Sequence, residues 1–522
     1  MRVKSPKPTK RLEISREELE ALKIRIKEQL TDSDFNLVHA LIESVECLRD
    51  IIEEKETSIG RLCKYLLGAP TETARNILPR NDAAKPSQKP PTQKEKPKGH
   101  GKKPASAYTG GTKVTLKHES LGSGDLCPGC EKGKVYELAM PSVFVHITGG
   151  APLNATVYER MRLRCNLCGE VYTPALPAEI GDKKHDESAA AMVAVLKYGC
   201  GLPFNRLEKL QANLGHPVSA STQWDIVNLA AVSLAPAHDA LINFAAQGQL
   251  IHNDDTTMKV LSFIEQQDPE NTRKGIYTTG IVSNWQNHRI ALFMTGRNHA
   301  GENLNELLKR RATGLSPPIQ MCDAASRNAS ADFESIMANC LAHARRQFVE
   351  LVDRFPEDCA YVIEQLGKVY HHDAIARQQA LSPDDRLVYH RQNSGPVMAQ
   401  LKSWCRRQID ENIVEPNSGL GKAVKYMLNH WEKLARFLQV AGAPLDNNIC
   451  ERALKYAICH RKNALFYKSQ RGAYVGDLFM SLIHTCQLTG INPLNYITWL
   501  LKNARHIEKS PENYMPWNYA QS

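Results

Sequence analysis

The stretch that most constrains the fold begins at residue 249. QLIHNDDTTMKVLSFI, KGIYTTGIVS and HRIALFMTG read as three successive short strands, GENLNELLKRR has the helical period, and PPIQMCDAAS supplies a fourth strand. Three strands, a helix and a fourth strand open a mixed α/β sheet flanked by helices, in which the first and fourth strands are neighbours. Asp254 falls within the first strand and Asp323 just beyond the fourth. The topology therefore sets two carboxylates side by side. Adjacent carboxylates repel unless they are protonated or share a cation, so the pair is a natural Mg²⁺ site. Asp255 follows directly, and strand neighbours point to opposite faces, so only one of Asp254 and Asp255 faces the cation.

This order of elements is ribonuclease-H-like, and such a framework needs a third acid on a helix crossing the same edge. The candidate is Glu451, in LDNNICERALKYAICHRKNALFYKSQRGA, where Asn447 or Asn448 starts the helix and Arg461 and Lys462 form a basic run at its end. A carboxylate flanked by cations suits a centre that holds metal and a polyanion together. Composition alone selects no trio, because the chain carries 56 acids. Between Asp323 and Glu451 lie 127 residues of largely helical pattern, an insertion at about 350–440. His343 and Arg346, in HARR, sit at its start and either contact phosphate or serve as a structural histidine and a solvated cation.

Upstream, CPGC and CNLC supply Cys127, Cys130, Cys165 and Cys168, each pair closely followed by a glycine. Two thiolate pairs make a tetrahedral site for structural Zn²⁺, against the alternative of four unrelated buried thiols. The 34 residues between the pairs contain KVYEL, SVFVHI and ATVYERMRLR, which read as strands of a zinc-binding module spanning 119–180. The other ten cysteines, Cys200, Cys340 and Cys459 among them, read as core residues. Residues 187–246 form a helical, helix-turn-helix-like subdomain with Gly215 in the turn and Ser219 or Ser221 as N-cap, a pattern shared by helical subdomains that touch no DNA. A helical segment, 476–522, closes the chain.

From Ser33, Val38, Leu41, Val45, Leu48, Ile52, Lys55, Ile59, Leu62 and Leu66 follow alternating steps of three and four, and eight of these nine are apolar. Residues 33–67 thus read as a leucine-zipper-like coiled coil that pairs copies of the chain, or else as an amphipathic helix on its own domain. A basic arm and short helix precede it (1–32), and a Pro/Lys-rich linker follows (68–118). Of the formal +10, residues 1–11 carry +5 and residues 68–118 carry +8, so the remainder stands at −3. The cationic segments suit an acidic partner such as nucleic acid. No apolar run reaches the ~18 residues of a membrane span and no secretory signal is visible, so the expected location is the cytoplasm.

The wording of the passages around the acids sharpens this reading. IHNDDTT, IQMCDAAS, CLAHARRQF, DNNICERALKYAICHRKNALFYKSQRGA and the closing SLIHTCQLTGINPLNYITWLL resemble the large transposase of the insertion-sequence 66 family. The resemblance implies a bacterial DDE transposase in which Asp254, Asp323 and Glu451 hold two Mg²⁺ ions, with Mn²⁺ as a substitute. It also implies cleavage at terminal inverted repeats and strand transfer into target DNA, with Arg452, Arg461 and Lys462 offsetting phosphate charge. Homo-oligomers, small accessory proteins of the element and nucleoid association belong to the same expectation. Asp255 and CDAAS depart from the family's more usual wording, and the match selects Asp254 over Asp255. The competing classes are an inactive transposase-derived DNA-binding regulator and a hydrolytic nuclease of the same fold.

Overall fold

The computed structural model describes residues 105–519, except 109, 111, 139–141, 165, 169, 179, 181–182 and 266–272, together with Arg25, Ile26 and Val38. The basic arm, the heptad seam beyond Val38, most of the linker and Cys165 lie outside the described residues. The chain divides into two units, residues 1–79 with 352–360 and residues 80–351 with 361–522. Of the first, the described residues are the three just named and 352–360, which run into a helix. The second holds everything that follows.

Its Cys-rich module contains a two-residue antiparallel ladder, β1 (Leu163–Arg164) with β2 (Val171–Tyr172), and a Leu126–Lys134 bridge. Among the described residues, KVYEL and SVFVHI form no ladder, and ATVYERMRLR contributes only its last two residues. The reason is a missing core: Leu138, Phe144, Val157 and Leu167 are all more than four-fifths exposed, and strands without a packed face do not sustain themselves. The module touches the helices at one place, where the buried Gln211 amide donates to Leu153 O (2.9 Å) and accepts from Leu153 N (3.3 Å).

Helix α1 (Glu187–Ala194) is capped by Asp186, which accepts from Ala189 N at 2.8 Å. Helix α2 (Phe204–Asn213) ends at Gly215 in a left-handed conformation, and Ser219 caps α3 (Ala220–Ala246) by accepting from Thr222 N. Among the described residues α3 is the one helix long and apolar enough to cross a membrane, but half of that apolar stretch is buried inside the domain. It delivers the chain to the sheet through Gly248, where a side chain would strike Ser283 Oγ and the Asn284 carbonyl.

The sheet has five strands: β3 (Leu250–Thr257), β4 (Tyr277–Trp285), β5 (His288–Gly296), β6 (Ile319–Cys322) and β7 (Ile336–Asn339), in the order β5-β4-β3-β6-β7. β3, β4 and β5 are antiparallel neighbours, while β3 pairs parallel with β6 and β6 with β7. The first and fourth strands are thus adjacent, as the element order requires. Helix α4 (Ala300–Leu308) lies on one face, with Asn303 Nδ2 donating to Thr279 Oγ1 at 2.7 Å. After β7 come α5 (Leu341–Val349), α6 (Pro356–Gln378), α7 (Pro383–Asp410) and α8 (Gly419–Asn429). Helices α9 (Asn448–Ala464) and α10 (Gln470–Leu488) cover the other face, and α11 (Pro493–Lys502) packs on α1. Residues from 187–246 and from the C-terminal segment share one apolar core with the sheet: Leu234, Ile281, Phe293, Phe479 and Tyr496 are fully or nearly fully buried together.

Helix α10 meets the β5 backbone through a polar row at one-turn intervals. Asp477 accepts from Thr295 N (2.7 Å), Ser481 Oγ from Phe293 N (3.0 Å) and Thr485 Oγ1 from Ala291 N (3.0 Å). On the far side, Arg436 Nε donates to Met337 O of β7 at 3.0 Å. A buried N–H left without its acceptor costs about 1–3 kcal/mol. Ser481→Ala is therefore expected to lower the urea midpoint by that free energy with an unchanged slope; an unaltered midpoint would remove the capping role.

Candidate active site

The two aspartates meet at the ends of β3 and β6. Asp254 is directly paired with Gly280 of β4, where a side chain would come within 2.9 Å of Leu454 Cδ2 on α9. Glycine there lets α9 lie close against the strand beside the acid. Asp254 Oδ1 accepts from Asp255 N (2.8 Å) and from Asn328 Nδ2 (3.2 Å). Asp323 Oδ1 accepts from Ala325 N (3.0 Å) and from the same Asn328 Nδ2 (2.5 Å). One amide group therefore bridges both carboxylates. Burial pushes the Asp254 carboxyl up to about 7, and the charges of Asp323 and Asp255 add to it against the hydrogen bonds it receives.

Strand alternation sends Asp255 the other way. Its carboxylate, 3% exposed, takes His299 Nδ1 at 2.8 Å and lies 3.8 Å from Arg327 Nε. Asp255 is thus held in an ion-paired corner by α4 and the turn after β6, while Asp254 faces Asp323.

Glu451 stands in the first turn of α9. The helix start is pinned by Asn447, which is fully buried: its Nδ2 donates to Asn253 O (3.1 Å), its Oδ1 meets His252 Nδ1 (3.0 Å), and its backbone N donates to Cys340 Sγ (3.2 Å). Between Asp254 and Glu451 sits Cys450, whose buried thiol donates to Gly280 O at 3.2 Å and feels both charges. Glu451 Oε1 lies 3.6 Å from His343 Nδ1.

The basic candidates separate. Arg461 Nη1 donates to Thr256 Oγ1 (3.3 Å) and also to the carbonyl and hydroxyl of Thr257, so this guanidinium clamps the end of β3. Arg452 is exposed and its charge reaches His484 on α10. Lys462 and Arg346 are exposed. Of the cysteines read as core, Cys340 is buried, whereas Cys459 is half-buried and Cys200 exposed.

Several neighbours escaped the sequence reading. Asn328 carries no motif signal beyond lying five residues after Asp323. Tyr426, on α8, lies against Asp323; burial, with that charge added, pushes its hydroxyl up to about 12. Asn447 was legible only as a helix start, though it lies within the DNN passage.

Paired acids at the ends of adjacent parallel strands, with a third acid on a helix pinned to the same strand, define an α/β protein with a carboxylate site. Residues 184–475, more than half of the chain, match the family model described as Transposase IS66 family, and the chain belongs to that family. Membership places it among transposases, proteins that bind DNA and act on it. Curated relatives from Sinorhizobium fredii (strain NBRC 101917 / NGR234) are similar over long stretches. Uncharacterized protein y4jD is 28% identical over 389 residues, covering 69% of this chain and 71% of the relative. Uncharacterized protein y4hP is 26% identical over 349 residues, covering 62% of this chain and 61% of that relative.

The Asp254 shift has a signed consequence for the metal-free protein. A carboxyl raised from 3.8 to about 7 favours folding fully below pH 4 and loses that contribution as pH rises through about 7. Asp254→Asn, whose Oδ1 keeps the same acceptor, is expected to melt a few degrees above wild type at pH 8 in chelator, with the gap closing toward pH 4. A gap independent of pH would contradict the burial account.

Proposed function

We propose that the chain is the DDE transposase of an insertion sequence, with Asp254, Asp323 and Glu451 as the triad of a ribonuclease-H-like domain. The observation that carries the reading is the bridging of Asp254 and Asp323 by Asn328 at the ends of neighbouring parallel strands. Their oxygen-only donor set suits Mg²⁺, and the raised Asp254 carboxyl marks a place short of positive charge. Two Mg²⁺ ions held by the triad would neutralise phosphate charge and acidify the attacking water or 3′-hydroxyl. The protein's own part is positional. Asn328 sets the spacing of the aspartates, Asn447 aims the helix that carries Glu451, and Arg461 fixes the end of β3. Arg452, Lys462 and Arg346 are exposed cations available to DNA phosphates, to which the basic arm and linker add salt-dependent affinity.

The same reading gives the Cys-rich module a structural Zn²⁺ and a share, with α2 and α3, in recognising the element's ends. Around the first cysteine pair the chain is shaped for a metal thiolate: Cys127 N donates to Gly133 O (2.7 Å) and Gly133 N to Cys130 Sγ (3.4 Å). Backbone N–H groups of Lys132 and Gly133 hold the Cys130 thiol below its ordinary range. A module without an apolar core draws its folding energy from such a crosslink. Zipper pairing through residues 33–67 would bring two DNA ends together, with the element's small companion proteins as further partners.

Purified protein is incubated with a duplex carrying the flanking inverted repeat and Mg²⁺, beside Glu451→Gln. Joining of the cut end to target DNA is expected for wild type and a loss of at least about a hundredfold for the variant; joining that persists in Glu451→Gln refutes the triad, and nicking without joining marks a hydrolytic nuclease. Elemental analysis is expected to find one zinc per chain, lost in Cys127→Ser and Cys168→Ser. Zinc retained by both would exclude the four-cysteine site.

A further inference from the structure

Beside the aspartate pair lies a second ligand set of different chemistry. Ligand atoms of Cys340, His343 and Glu451 all fall within 4.8 Å of one another. Cys340 precedes α5 and is fully buried; His343, in the first turn of α5, and Glu451, in the first turn of α9, are each 27% exposed. The thiol thus forms the floor and the other two the mouth. His343 Nδ1 is buried without a hydrogen-bond partner, since Glu451 Oε1 at 3.6 Å is too far to accept from it. Asn447 N already donates to the sulfur, as it would to a thiolate.

Sulfur, imidazole nitrogen and carboxylate oxygen together are a poor set for Mg²⁺, which takes oxygen, and a good one for Zn²⁺ and related thiophilic ions. We propose that Cys340, His343 and Glu451 form a thiophilic divalent-cation site that competes with the magnesium centre for Glu451, so that a zinc-class ion restrains the enzyme. This rests on the triad reading for its consequence but not for the binding itself. On binding, the Cys340 S–H bond breaks, the sulfur–metal bond forms and the proton leaves to solvent. Glu451 is the shared member: while it serves the soft ion it is withdrawn from the aspartate pair.

The full chain as purified, in Mg²⁺ buffer, is titrated with Cd²⁺ and followed by the ultraviolet cadmium–thiolate band, beside Cys340→Ser and His343→Ala. The Cys-rich module contributes equally to all three proteins, so the difference isolates this site. Wild type is expected to show one thiolate's absorbance more than Cys340→Ser, and His343→Ala, which keeps the thiol, to need roughly tenfold more Cd²⁺ to reach it. Three identical titrations overturn the proposal. In the strand-transfer assay, added Zn²⁺ is expected to inhibit wild type along the same saturation curve that displaces Cd²⁺; inhibition unrelated to that curve overturns the competition for Glu451. Because the band needs no DNA, its absence leaves the triad standing. Joining that survives Glu451→Gln removes the triad and leaves the metal site.

Discussion

The geometry of the acidic site depends on one buried side chain, Asn447. Its amide spans from the β3 backbone at Asn253 to the His252 ring, and its own N–H reaches the Cys340 sulfur at the start of α5. Three elements from distant parts of the chain, β3, α5 and α9, are thus registered against one residue. Glu451 lies four positions on, one helical turn, so its placement relative to Asp254 inherits that anchor. A side chain with both a donor and an acceptor is required, since losing either leaves a buried polar group of β3 without its partner.

The second constraint is charge. Asp254, Asp255 and Asp323 crowd the ends of two strands, and each is handled differently. Asp255 is neutralised by His299 and Arg327 on its own face. Asp254 and Asp323 receive only neutral N–H donors, two of them from one Asn328 amide group. The fold therefore neutralises the acid that faces away and leaves the facing pair to polar groups alone, which suits carboxylates that exchange amide for cation.

Much of this was legible in the sequence for local reasons. Strand periodicity gives β3 to β6, alternation separates Asp254 from Asp255, and the helix signals place Glu451 in a first turn. Parallel pairing of β3 with β6 follows from element order. Contacts across long sequence separations were not legible. Tyr426 reaches Asp323 from α8, Cys340 reaches Glu451 from α5, and Arg461, read as a phosphate ligand, turns back onto Thr256 and Thr257. Side-chain type predicts what a residue can bond, but which partner arrives is decided by packing. The strands expected in the Cys-rich module failed for a related reason, because alternation presumes a core for one face to bury and Phe144 and Val157 have none.

The row of Asp477, Ser481 and Thr485 along α10 bears on assembly. A sheet whose border strand offers bare N–H groups can accept a strand from another molecule and grow. Here the β5 border is already stoppered by helix side chains, and Arg436 occupies a carbonyl on the β7 border. Copies of this chain brought together on DNA are thereby denied the simplest form of sheet-to-sheet joining. Whatever symmetry a multi-copy complex adopts must be written in helices, in the Cys-rich module or in the DNA itself, and the sheet is left to hold its acids still.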